Sequence, residues 1–221
     1  MTFKALQKRI FYLLNRFIAN RTVFLWRYRS DLLFSLKLRT KFVVKLRQDQ
    51  LELATPNLDN SWRVHATQYQ TGSLINFKRL FHTHLNNQHF DHFFDIGCGL
   101  GKFVFYAEKA KIAKHCFGIE NDPALHLRSL ETKEKVSSNS FFIKADACTY
   151  LLEVPINSRN LIYMFNPFDQ DVLRVFLTAN LFKLQETIFF YENDVHIEVF
   201  LAVGFRVVVK EANCSILQLK I

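Results

Sequence analysis

Apolar positions recur at two periods along this chain. From Phe3 to Phe17 they fall at Phe3, Leu6, Ile10, Leu13, Leu14 and Phe17. Steps of three and four mark one face of a helix, and Lys4, Lys8, Arg9, Asn15 and Arg16 fall mostly on the other. Ser30-Asp31 can cap a second helix through Leu32, Leu33 and Leu36. From Phe42 to Leu53 the helix and strand patterns compete and neither prevails. A polar stretch from Thr55 to Ser61 marks a boundary. The expected division is a basic, helical N-terminal extension over residues 1–54 and a second domain over residues 55–221.

Beyond that boundary, Leu74, Ile75, Phe77, Leu80, Phe81 and Leu85 predict an amphipathic helix, with Thr71 or Ser73 placed to cap it. Short apolar runs then alternate with helical ones. The runs read as strands are Phe93–Ile96, Cys116–Glu120, Ser140–Ala147, Asn160–Phe165, Thr187–Tyr191, Phe205–Val209 and Ser215–Leu219. Between them, helices are expected from Lys102, from Pro123 to about Lys135, from Asp169 to Leu184, and from Val195 to Ala202 with Asp194 as cap and Gly204 as stop. The order is β-α-β-α-β-(α)-β-α-β-α-β-β. Alternation of this kind implies an α/β fold with a doubly wound, mostly parallel seven-stranded sheet. The last two strands are joined by a short turn and so must run antiparallel.

Charge is distributed unevenly. Residues 1–50 hold twelve Lys or Arg against Asp31 and Asp49, a net +10, while the remaining 17 basic and 18 acidic residues leave −1. Any attraction to nucleic acid or an anionic membrane therefore belongs to the N-terminal segment. Its apolar stripe fits packing on its own domain or peripheral binding to lipid, and its interleaved Trp26 and Tyr28 fit nucleic-acid binding. The reading favoured is a helical cap that packs through the stripe and offers its basic side to an anionic acceptor. Cys98, Cys116, Cys148 and Cys214 form no C-x-x-C pair and sit in or beside apolar runs, as expected of buried free thiols in a cytoplasmic chain. His82, His84, His89 and His92 lack a Cys or carboxylate to complete a ligand set, so no metal is expected. No stretch approaches the ~20 apolar residues that span a bilayer.

The most informative stretch is Phe93-Phe94-Asp95-Ile96-Gly97-Cys98-Gly99-Leu100-Gly101-Lys102. A buried strand runs into three glycines at alternate positions, half of the six in the chain, and then into a helix. Glycine opens backbone angles closed to other residues and lets a ligand approach the main chain. A strand, a glycine turn and a helix N-terminus together suit a nucleotide-like ligand. The spacing is G-x-G-x-G, unlike the G-x-G-x-x-G of dinucleotide-dependent oxidoreductases or the phosphate-binding P-loop. Two further acids, Glu120 and Asp146, end the second and third strands, and Glu120 is placed to accept hydrogen bonds from a ribose diol.

With its acid two positions before the first glycine, this motif resembles the first motif of the class I S-adenosylmethionine-dependent methyltransferases. The likeness covers about residues 67–221. It implies S-adenosylmethionine as cofactor, held at its methionine end by Gly97, Gly99, Gly101 and Thr71, with Asp95 orienting the ammonium group. It further implies Glu120 on the ribose, and Asp146 with the adjacent Ala147 at the adenine. Asn166-Pro167-Phe168 after the fourth strand resembles the (Asp/Asn)-Pro-Pro-(Tyr/Phe) motif of amino-methylating members, with one proline instead of two. There the Asn accepts hydrogen bonds from the target amine and the aromatic ring packs on the acceptor. The expected activity is methylation of nitrogen in an acceptor the sequence does not name: protein, RNA or small molecule. A cofactor-binding module of the same fold without activity is the alternative. A turn followed by a core phenylalanine is the other reading of Asn166-Pro167-Phe168.

Overall fold

The computed structural model describes residues 33–34 and 72–220. Thr71 and the apolar stripe of residues 3–17 lie outside the described residues. The chain divides into two compact units, residues 1–43 with 73–86 and residues 44–72 with 87–221. In the first, helix α1 (Leu74–His84) buries Leu74, Phe77, Leu80 and Phe81, the face its spacing predicts. Ser73 occupies its N-cap position without a side-chain capping bond. Leu33 and Phe34, within the expected second helix, are helical.

The second unit is built on one seven-stranded sheet: β1 (Phe90–Ile96), β2 (Ala113–Glu120), β3 (Phe141–Lys144), β4 (Asn160–Phe165), β5 (Thr187–Glu192), β6 (Phe205–Glu211) and β7 (Cys214–Leu219). Their order across the sheet is β3-β2-β1-β4-β5-β7-β6. The first five are parallel, and β7 pairs antiparallel with both β5 and β6. The connecting helices are α2 (Lys102–Lys109), α3 (Pro123–Val136), α4 (Gln170–Asn180), and α5 (Ile197–Val203). The chain reverses direction across the sheet between β1 and β4, and the carboxyl ends of those strands flank the crevice where such sheets take ligands.

Phenylalanine supplies much of the core. Phe189, Phe200 and Phe205 meet edge to face, with centroids 5.0, 5.3 and 5.4 Å apart. Such pairs add about 0.5–1.5 kcal/mol each beyond area burial. This cluster anchors β6 and α5 to β5, so the antiparallel end of the sheet is held by side chains as well as by its ladder.

Four local expectations are corrected. β3 stops at Lys144, not Ala147, because the Asp146 carboxylate accepts the Cys148 N–H at 2.8 Å and its carbonyl accepts those of Thr149 and Tyr150, which turns the chain. The optional helix between β3 and β4 is absent; turns fill the interval. The helix from Asp169 ends at Asn180 and continues as a 3-10 turn, Leu181–Lys183. There the Asn180 side chain accepts from Leu152 N–H and donates to the Tyr150 and Phe176 carbonyls. Asp194 does not cap α5, whose N-cap is His196; its carboxylate takes Lys210 and Ser215 instead.

Candidate functional site

Three positive-φ glycines build the turn after β1. Gly97 (φ 75°) and Cys98 both donate to the Ile119 carbonyl, at 2.9 and 3.0 Å, which ties the turn to the end of β2. Gly101 (φ 77°) is the left-handed N-cap of α2. A Cβ on it would stand 2.5 Å from the Phe142 ring, so both its angle and its surroundings require glycine. A Cβ on Gly97 would strike the Pro167 ring. The glycine turn and the Asn166-Pro167-Phe168 turn are therefore in direct contact, one at the end of β1 and the other at the end of its neighbour β4.

Glu120, the last residue of β2, joins this turn to the next helix. Its Oε2 accepts the Gly99 N–H at 2.7 Å and its Oε1 accepts the Asp122 N–H at 2.8 Å. Burial pushes the Glu120 carboxyl above its ordinary range, and the Asp122 and Gly99 N–H groups oppose that rise. The Asn121 N–H adds a further backbone hydrogen bond that opposes the rise. Asp122 caps α3 through Ala124 and Leu125 N–H, at 2.7 and 3.2 Å. Asp95, 3% exposed, is pushed well above the carboxylate range by burial and by Glu120, with Lys102 pulling it back.

Asp146 is exposed, two residues past β3, and Ala147 beside it is half-buried. Asn166 is buried at φ 40°, and its Oδ1 accepts the Tyr191 hydroxyl at 3.0 Å. Phe168, 8% exposed, sits in the core cluster with its ring 6.5 Å from that of Phe176. Asp146, Glu120, Asp95 with the glycines, and Asn166 thus stand in that order along the carboxyl edge of β3, β2, β1 and β4. The four thiols are free; Cys98, Cys116 and Cys214 are buried, and Cys148 is half-buried. Among the described residues no group of His, Cys, Asp and Glu is placed to hold a metal ion, and no helix is long and apolar enough to cross a membrane.

Sequence reasoning assigned no role to Lys102, Tyr163 or Glu192, which converge on Gly72 at the same edge. Lys102 is buried and donates to the Gly72 carbonyl, and the Tyr163 hydroxyl donates to Glu192 Oε2 at 2.8 Å. The available signals were a lysine directly after the glycine turn and an acid ending β5. Neither is informative until Gly72 is brought to them.

No protein-family model matches the sequence, and comparison with curated proteins finds no match. Solved structures do match. The T. thermophilus 16S rRNA N2 G1207 methyltransferase RsmC, in complex with AdoMet and guanosine, is 17% identical at a TM-score of 0.51, over 70% of this chain and 44% of that one. The ribosomal protein L11 methylase of Lactobacillus delbrueckii subsp. bulgaricus is 12% identical at 0.49, over 71% and 81%. The B. subtilis M1A22 tRNA methyltransferase TrmK is 14% identical at 0.47, over 58% of this chain and 60% of its own length. Together with the strand order and the antiparallel β7, the match to RsmC shows that this chain has the seven-stranded, Rossmann-like fold of the class I S-adenosylmethionine-dependent methyltransferases.

Proposed function

We propose that the chain is an S-adenosylmethionine-dependent methyltransferase acting on a nitrogen acceptor. The observation that carries this reading is Glu120: a buried carboxylate, oriented by the Gly99 and Asp122 N–H groups, at the end of the strand next to a three-glycine turn. A carboxylate so held is the acceptor that a ribose diol beside an exposed backbone requires. The glycine turn would take the methionine end against bare main chain, with Asp95 behind it. Asp146 and Ala147 would bound the adenine. When bound, the cofactor supplies a methyl group on a sulfonium, and the protein's task is to hold a nucleophile in line with it, so positioning provides most of the rate.

Asn166 is the residue proposed to hold the acceptor. Its side-chain oxygen accepts the Tyr191 hydroxyl, which orients the amide at the end of β4. The direct contact of Pro167 with Gly97 ties this turn to the methionine-end turn. Phe168 stands beside it, buried, with its ring packed against that of Phe176. That burial is also what a cofactor-binding module without catalysis would have, so the acceptor step rests on Asn166.

The rRNA methyltransferase of the same fold was solved with guanosine, and a nitrogen of a nucleobase is the acceptor class this suggests. The +10 charge of residues 1–50 supports an anionic acceptor. The 1–54 extension is read as the recognition element and residues 55–221 as the domain that binds cofactor.

Calorimetric titration of Glu120→Ala tests the assignment. Each lost hydrogen bond to a charged acceptor is worth about 1.5–3 kcal/mol, so cofactor affinity should fall by roughly tenfold or more. Unchanged affinity in a folded variant would remove Glu120, and the reading built on it.

A further inference from the structure

We infer that Lys102, Tyr163 and Glu192 are positioning residues that seat the Gly72 peptide beside the glycine turn, and so shape the subsite for the amino-acid end of the cofactor. The inference rests on the cofactor reading above. Lys102 opens α2 yet is only 2% exposed. An ammonium group that deep is costly unless it is hydrogen-bonded or paired. Its Nζ donates to the Gly72 carbonyl, thirty residues upstream, and lies 4.8 Å from the centroid of the Phe103 ring.

Two further elements meet the same peptide. The Tyr163 ring, in the middle of β4, stacks on Phe103 with centroids 4.0 Å apart, which aims its hydroxyl at Glu192 Oε2 at the end of β5. A Cβ on Gly72 would collide with the Tyr163 hydroxyl, and would stand 2.7 Å from Glu192 Oε2 and 3.0 Å from the Phe165 ring. Only glycine fits because three elements close around it. Lys102 also opposes the rise that burial and Glu120 impose on Asp95, the acid behind the glycine turn. One side chain therefore both holds Gly72 and tunes the acid nearest the proposed methionine end.

This arrangement predicts a loss confined to one end of the ligand. S-adenosylhomocysteine carries the amino-acid end, whereas methylthioadenosine has the same nucleoside and thioether without it. Affinities for both are measured by calorimetry on the full chain for wild type, Lys102→Met and Tyr163→Phe; the last keeps the ring stack on Phe103. Lys102→Met should weaken S-adenosylhomocysteine by roughly tenfold or more and methylthioadenosine by less than about twofold, and Tyr163→Phe should show the same selectivity at roughly threefold. If Lys102→Met does not fold, Tyr163→Phe decides alone. Equal losses for the two ligands, or none, overturn the inference and leave the cofactor reading standing. A wild-type chain that binds neither ligand overturns both.

Discussion

Asp95 and Glu120 are carboxylates that end neighbouring strands, and burial raises the proton affinity of both. For Asp95, Glu120 adds to the rise and Lys102 opposes it. Both groups hold a proton more tightly folded than unfolded. The stability they contribute is therefore fully present below about pH 4, the unfolded carboxylate value, and is lost as pH rises through their raised folded values. The ligand-free protein should melt at progressively lower temperature across that window. Asp95→Asn removes one of the two titrations, so its melting temperature should decline less steeply with pH than that of wild type. About 1 kcal/mol corresponds to about 2–4 °C in a chain of this size, well within the reach of scanning calorimetry. Superimposable profiles would show that Asp95 carries no such linkage.

At the scale of elements, strands such as β4 and β5 were legible because buried parallel strands read as nearly continuous apolar runs, and the glycine turn because its acid and spacing are local. What the chain did not reveal depends on contacts between distant segments. Asp194 has the form of a helix cap, yet Lys210 and Ser215 arrive from β6 and β7 and take its carboxylate. Asp146 has the form of a strand end, yet its own side chain closes a turn. Phe168 reads as a ring for the acceptor or for the core, and Phe176, nearly two turns into α4, is the ring it meets. The Gly72 seat needs three elements at once. The Asp194 cluster ties the end of β5 to the antiparallel strands, away from the acids at the glycine turn. Asp194→Ala leaves the buried Ser215 hydroxyl without that acceptor, at a cost of about 1–3 kcal/mol. The melting temperature should drop by several degrees with cofactor affinity unchanged; loss of affinity at equal stability would place Asp194 in the site instead.

For the molecule as a whole, residues 51–221 carry −1 while residues 1–50 carry +10, so binding of cofactor and attraction of an anionic acceptor are expected to be separable. Replacing Lys4, Lys8, Arg9 and Arg16 together by Gln removes four positive charges and keeps the apolar stripe. Acceptor turnover at low salt should fall, and the steep loss of turnover with rising salt should become shallower, because fewer counterions are released on binding. Cofactor affinity should be unaffected. Turnover with the same rate and the same salt slope as wild type would show that the basic face has no part in recognition.

Methyl transfer itself is the central claim, and the direct measurement is incubation of the full chain with methyl-labelled S-adenosylmethionine and a fractionated cell extract, with Asn166→Ala in parallel. The account predicts label in one class of acceptor, attached to nitrogen. It also predicts loss of most of that label in Asn166→Ala while cofactor affinity stays within about twofold of wild type, because the missing contact acts on the reacting nitrogen. Cofactor binding with no label in any fraction would contradict the account and leave a binding module in its place.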